Sequence, residues 1–412
     1  MPLAHLQHLP ARSWLLKPAH HRWLEEEGNR LLGFARAARM PGGFGSLDEH
    51  GRLAADAVPD TTFTARMTHC FALAHLQGLP GFGELVDHGV AALAGALRDS
   101  QHGGWFTSAR CEGGGYAKQC YVHAFVCLAA SSAAVAERLD AAELLSAAAQ
   151  VFETHFWSGD EQALREAFSQ DWSEQEPYRG ANSNMHGVEA CLALAGALND
   201  PRWLDRALAI AQRLVHGHAA QGVIEHFDLN WQPLPDYNRD QPEHPFRPYG
   251  LTPGHAFEWA RLLLELEGAR QRRGMSAPAW LADDAAALFD HALSCGWAVD
   301  GLPGIVYTVS SSGLPVVRER LHWVMAEACA ASASLLQRSG KPEYERWYRT
   351  FWDFIDQHLI DRQHGSWRHE LSPANEPAGR LWPGKPDLYH AYQATLIPRL
   401  PLGWTLAQWC CR

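Results

Sequence analysis

Six stretches of this sequence place titratable and aromatic side chains where a buried helix would ordinarily carry aliphatic ones. They are TTFTARMTHC from Thr61, KQCYVHAFVC from Lys118, NSNMHGVEAC from Asn182, TPGHAFEWAR from Thr252, RLHWVMAEAC from Arg320 and KPDLYHAYQA from Lys385. Their first turns hold Arg66, Tyr121, His123, His186, Glu189, His255, Glu258, Trp323, Glu327, Tyr389 and His390. Burying a polar group costs free energy unless it has a partner or a purpose. Imidazoles grouped with carboxylates and an arginine suit proton transfer, since neutral His is a base near pH 7 and its protonated form an acid. Arg66 or His186 can then donate to an oxyanion as it develops.

The same residues admit plainer roles. The chain has 23 histidines, and a lone His on a helix is commonly a satisfied core or surface group, so His123 fits either role. Glu189 and Glu327 either bond neighbouring helix ends or take part in chemistry. Trp323 is a packing residue or a platform for a sugar ring. Metal-assisted chemistry fits poorly, because the carboxylates Glu189, Glu258 and Glu327 come one per segment and cation sites gather several. The HEL at His369 lacks a second His at zinc-helix spacing. No GxGxxG follows a strand pattern and no Walker motif occurs, so no cofactor is expected. Two other readings remain open. Glu258 with Glu327 or Glu189 could form a glycosidase carboxylate pair, or the groups could line a recognition pocket without turnover.

The elements that must position these groups are helices. From Asp200, a capping residue, and Pro201, suited to a first helical position, Trp203, Leu204, Ala207, Leu208, Ala211, Leu214 and Val215 fall on one face, and Gly217 is a stop. The same reading predicts twelve helices, near 21–38, 61–78, 84–98, 119–136, 140–155, 184–198, 202–216, 252–268, 279–295, 320–338, 342–358 and 386–397. Between alternate helices come GGFGSLDEHGR at Gly42, GGWFTSARCEGGG at Gly103, ALREAFSQDW at Ala163, IEHFDLNWQPL at Ile224, GIVYTVSSSGLPV at Gly304 and GSWRHELSPANE at Gly365. Most read as a small hairpin. Their starts lie roughly 60 residues apart, with one interval of about 80, which is repeat spacing. Six repeats of helix, tight turn, helix and hairpin predict an all-α fold. It is an (α/α)6 barrel of six inner and six outer helices, with the hairpins at one mouth and one domain spanning 1–412. The inner helices' N-termini then meet at that mouth with unpaired N–H groups.

Composition narrows the partners. The charge of −11 is spread without a basic block, which argues against nucleic acid, and few Lys or Arg at the mouth argue against a substrate phosphate. No apolar run approaches a membrane span. His8, Pro10 and Arg12 interrupt any signal-like core. Nine cysteines (70, 111, 120, 127, 191, 295, 329, 410 and 411) sit mostly among apolar residues, as buried thiols of a reducing compartment do. A cytoplasmic protein is expected. The sequence leaves the oligomeric state open.

Long strings also carry a family resemblance. They run from HRWLEEE at His21 through TTFTARM, LVDHGVAALAGALRD, GGW, KQCY, YRGANSNMHGVEA, EHFDLNWQPLPDYN, HPFRPYGLTPGHAFEWARL, GIVYTV, VVRERLHW and GSW to LYH at His390. In these the chain resembles the N-acylglucosamine 2-epimerase superfamily, in its branch of mannose and sulfoquinovose isomerases. The resemblance implies metal-free acid–base catalysis on an opened free monosaccharide, with His255 and His390 as the catalytic pair. It places Arg66, His186, Arg247 and Glu258 around the substrate, with Asn182 (or Asn184), Trp323 and His369 as further members of that shell. The implied reaction is aldose–ketose exchange through a cis-enediol, with C2 epimerisation as the alternative outcome. In the sulfo-sugar enzymes, the resemblance implies glutamines where this chain has His369 and Pro386. That departure favours D-mannose and D-fructose, with D-lyxose and D-xylulose as side substrates.

Overall fold

The computed structural model describes Leu6, residues 8–110 and residues 115–412. Cys111 and the end of the GGWFTSARCEGGG segment lie outside the described residues. Among the described residues twelve long helices form: α1 (Pro18–Ala35), α2 (Thr61–Leu76), α3 (Gly83–Ala94), α4 (Cys120–Val135), α5 (Ala141–Val151), α6 (Ala181–Ala197), α7 (Arg202–Leu214), α8 (Pro253–Arg272), α9 (Trp280–Gly296), α10 (His322–Ser339), α11 (Pro342–Phe354) and α12 (Tyr389–Leu396). Each matches an expected helix. A short α13 (Leu406–Cys410) was not expected. The expected ends of α5 and α11 are single wider π-turns, Phe152–Phe156 and Ile355–Leu359. No helix among the described residues is long and apolar enough to cross a membrane.

The even-numbered helices form a closed inner ring, in which α2, α4, α6, α8, α10 and α12 touch in that order and α12 returns to α2. Outside them α3, α5, α7, α9 and α11 each pack on the inner helix just before them in the chain, and α1 packs on α12. This is the expected (α/α)6 barrel, closed by pairing the first helix with the last inner one. Composition explains the two layers. Inner helices are buried all round and rich in small residues, as in Ala328–Cys329–Ala330–Ala331–Ser332–Ala333–Ser334 of α10, so neighbouring backbones approach closely. Outer helices are amphipathic: α7 buries Trp203, Leu204, Ala207, Ile210, Ala211 and Leu214. Each large apolar side chain so buried contributes about 1.5–3 kcal/mol.

The hairpins do more than expected. Strands of two or three residues form local hairpins, but the segment entering each inner helix also pairs with the hairpin of the next repeat. Lys118–Gln119 pairs with Ala167–Phe168, Arg179–Gly180 with His226–Phe227 and Arg320–Leu321 with Glu370–Leu371. Bridges Asp60 to Ser108 and Leu251 to Val309 continue the series. The Lys385 N–H donates to the Leu47 carbonyl (2.8 Å) and closes it. The physical reason is the unpaired N–H at a helix start. Thr61, Cys120, Ala181 and His322 donate theirs to the carbonyls of Thr107, Glu166, Glu225 and His369. At the fifth such position stands Pro253, which has no N–H to satisfy. Buried ion pairs brace the ring in two repeats alike: Lys118 Nζ bonds Asp99 (2.8 Å) and the Gly103 carbonyl (2.7 Å), and Lys385 Nζ bonds Asp361 (2.7 Å) and the Gly365 carbonyl (2.8 Å).

Candidate active site

The mouth of the ring opens into a cavity of about 140 Å³ floored by the first turns of the inner helices. His255 on α8, Trp323 on α10 and His390 on α12 come from consecutive helices and form one wall. The Trp323 ring centroid lies 5.3 Å from that of His255 and 5.6 Å from that of His390. Gly254 makes room for it, since a Cβ there would sit 2.6 Å from the Trp323 ring. Gly254→Ala is therefore expected to push the indole out from between the imidazoles and lower kcat/KM by about ten- to a hundredfold, the scale for ångström misplacement. An unchanged kcat/KM in steady-state assays would remove Trp323 from the positioning argument.

Each imidazole is held through Nδ1 by a buried carboxylate. His255 Nδ1 donates to Glu225 Oε1 (2.9 Å) and Oε2 (3.0 Å), and Glu225 also takes the Thr252 N–H at 3.3 Å. His390 Nδ1 donates to Glu327 Oε1 (2.8 Å), whose Oε2 accepts from Arg261 Nε (3.0 Å). With the carboxylate oxygens as acceptors, Nδ1 carries the hydrogen of each bond and Nε2 is left for the cavity. Burial, then the nearby Arg66 charge, push the His390 pKa well below the ordinary imidazole value, so it is a neutral base at rest.

Glu258 lies on the cavity floor, 1 % exposed, with neither carboxyl oxygen hydrogen-bonded. Burial and the adjacent Glu327 charge raise its pKa well above the carboxylate range. Beneath it Arg261, also 1 % exposed, serves four carboxylates: Glu327 and Glu265 at 3.0 Å, Glu258 at 3.5 Å and Glu189 at 3.8 Å. Glu189 further accepts from the Tyr389 hydroxyl and from His186 Nδ1 (3.5 Å). Burial lowers the His186 pKa to about 4. Arg66 donates to Asp387 (2.9 Å) and to the Tyr121 hydroxyl (2.8 Å), leaving Nε buried without a partner. Asn182 lines the cavity with its Oδ1 unpartnered, and His369 lines it stacked on His322 at 3.7 Å.

Arg66, Asn182, His186, His255, Glu258, Trp323, His369 and His390 thus share one cavity. Arg247 does not. Although its neighbours Phe246 and Pro248 line the wall, its guanidinium turns away to Glu176 (2.7 and 2.9 Å) and over the Tyr178 ring. The open roles resolve for two residues. His123 is structural, bonded to the Trp105 N–H and facing the Gln119 carbonyl. Asn184 is spent on the Leu164 and Gly180 backbone. Sequence reasoning missed Glu225, Asp387, Asp60 and His322. A signal for Glu225 existed: its carbonyl occupies the hairpin place that His369 fills in a later repeat, so aligning the hairpins would have exposed it.

The ring also undoes the spacing argument against a cation. Ligand atoms of His186, Glu189 and Glu258 lie within 4.8 Å of one another, as do those of Glu258, Glu327 and His390. Helices far apart in sequence deliver one carboxylate each to one point. There the Arg261 guanidinium supplies positive charge to the same carboxylates.

The model of one family, N-acylglucosamine 2-epimerase, matches residues 42–394. A D-mannose isomerase of Pseudomonas cannabina pv. alisalensis is 61 % identical over 96 % of each chain. One of Thermobifida fusca is 50 % identical over 96 % of this chain and 98 % of its own. A crystal structure of a D-mannose isomerase superposes with a TM-score of 0.83 at 29 % identity, over 93 % of this chain and 99 % of that one. The inner ring, the cavity at its mouth and these matches agree: the chain belongs to the N-acylglucosamine 2-epimerase family.

Proposed function

We propose that this protein is an aldose–ketose isomerase that interconverts D-mannose and D-fructose by metal-free proton transfer. The observation that carries the reading is the pair His255 and His390. Each is fixed by a carboxylate at Nδ1, and each keeps Nε2 for a shared cavity. One imidazole takes the proton from C2 of the opened aldose, exchanges it with solvent and delivers one to C1. The other moves the proton between O5 and O1 that opens the ring. Glu258, kept neutral, gives its proton to O1 as C2–H is removed and recovers one from O2 as C1 is protonated. The chain between Leu6 and Arg412 then works as one catalytic domain. The six free cysteines buried among the described residues suit a reducing compartment, and we read the protein as cytoplasmic.

Incubation with D-mannose in D2O is expected to yield D-fructose carrying solvent deuterium at C1, with EDTA present throughout. Complete loss on chelation, restored by one divalent ion, would overturn the metal-free mechanism. The neutral sugar is favoured over sulfoquinovose because both nearby guanidiniums already face carboxylates: Arg66 faces Asp387, and Arg247 faces Glu176. In a competition assay with both sugars, kcat/KM is expected to be higher for D-mannose. Preferential conversion of the sulfo-sugar would reverse the assignment and leave the histidine mechanism standing.

A further inference from the structure

Across the ring from His255, the cavity carries a carboxylate that the chemistry above does not use. Asp60 stands at the start of α2, and in a six-helix ring α2 lies opposite α8. Its Oδ1 accepts the Phe63 N–H at 2.9 Å, and the side chain lines the cavity. Capping alone does not account for the charge. Asn caps as well as Asp and has no ionic group to desolvate. A helix N-terminus ordinarily lowers a carboxyl pKa, yet burial outweighs its hydrogen bonds and raises that of Asp60 to about 6.

Arg66 offsets the charge of Asp60 only in part. Among the described residues Arg66 is the one cation that lines the cavity, and Asp387 already faces it at 2.9 Å. Burial holds the Tyr121 hydroxyl up near 12 and His322 down near 4, and His369 is lowered well below the usual imidazole value by burial and by His322. All three are neutral at pH 7. One guanidinium between two carboxylates leaves this wall with a net negative charge above pH 6. If the reacting carbons sit at the His255–Trp323–His390 wall, the non-reacting end of the sugar points toward this charge.

We infer that Asp60 is a specificity-determining residue that excludes sugars bearing an anion at the non-reacting end, such as 6-sulfonates, 6-phosphates and uronates, and restricts the site to neutral monosaccharides. The inference rests on the functional reading for which end of the sugar reacts.

The test compares calorimetric binding of two unreactive probes whose two ends differ, 1,5-anhydro-D-mannitol and its 6-deoxy-6-sulfonate, a fixed anion between pH 5 and 8. Asp60→Asn keeps the cap and removes the charge. It is expected to raise the relative affinity for the sulfonate at least about fivefold, the scale of one like-charge contact in a partly solvated site. Asp60→Glu, which keeps the charge, should retain the discrimination. In the wild type the discrimination should shrink as pH falls from 8 to 5, because a carboxyl with a raised pKa loses its charge first. An affinity ratio in Asp60→Asn equal to that of the wild type, with circular dichroism showing an intact fold, overturns the inference. A wild type that discriminates in binding but never converts D-mannose retires the isomerase reading and leaves the role of Asp60 standing.

Discussion

Replacing either His255 or His390 by Ala is expected to lower kcat by at least about a hundredfold, within the roughly 10²–10⁴ that general acid–base groups contribute. Each imidazole is the group of its pair that faces the cavity, and no second base stands behind it: Glu225 and Glu327 lie on the Nδ1 sides, away from the reacting carbons. The fold should survive. After truncation Glu225 keeps the Thr252 N–H and Glu327 keeps Arg261. Conversion of D-mannose to D-fructose and circular dichroism together check this. Near wild-type turnover in either variant would strip that histidine of its role. Glu225→Gln and Glu327→Gln should show a smaller loss, about tenfold. An amide still bonds Nδ1 but no longer stabilises the imidazolium that forms when Nε2 takes the proton.

The second large effect is expected at a residue that touches no substrate. Arg261→Met leaves the buried Glu189, Glu258 and Glu327 and the half-buried Glu265 facing one another without the guanidinium they share. Removing one partner of a buried ion pair costs about 3–5 kcal/mol, so the loss in a urea titration should be at least that large at pH 7. The pH dependence has a definite sign. In the variant these carboxyls have folded pKa values raised above their unfolded ones by burial and by one another. Their contribution to stability is therefore present at low pH and lost as pH rises through the raised values. The variant should regain stability between pH 7 and 5, and wild type much less, because there Arg261 opposes the rise. A variant as stable as wild type at pH 7 would show that the four carboxylates do not need the guanidinium. Glu258 raised by both burial and Glu327 is the group expected to protonate first.

Much of this is legible in the sequence. Periodicity located every long helix to within a few residues, since an amphipathic face repeats within one turn of chain and needs no knowledge of its partner. The hairpin spacing gave the number of repeats, and the number of repeats implied a ring. Polar residues at six equivalent helix starts marked the mouth. What was misread shows the boundary. The reach of Arg247 was unreadable because its loop neighbours Phe246 and Pro248 do line the cavity, and only the position of Glu176, 71 residues earlier in the chain, turns the guanidinium outward. The three carboxylates looked too scattered to form a cluster, yet the ring brings Glu189, Glu258 and Glu327 around Arg261.

Local spacing determined the helices, their inner or outer place, the repeat, and which residue types would gather at one end. Those properties depend on contacts within a turn or a repeat, where sequence distance and spatial distance agree. Tertiary structure alone decided the partners. It paired His255 with Glu225 and His390 with Glu327, left Glu258 without a hydrogen bond, and set Asp60 on the wall facing His255. These contacts join residues 30 and 63 positions apart in the two imidazole pairs. Which of many buried carboxylates meets which nitrogen follows from ring closure and from the stitching of each hairpin to the next helix, and no periodicity encodes that.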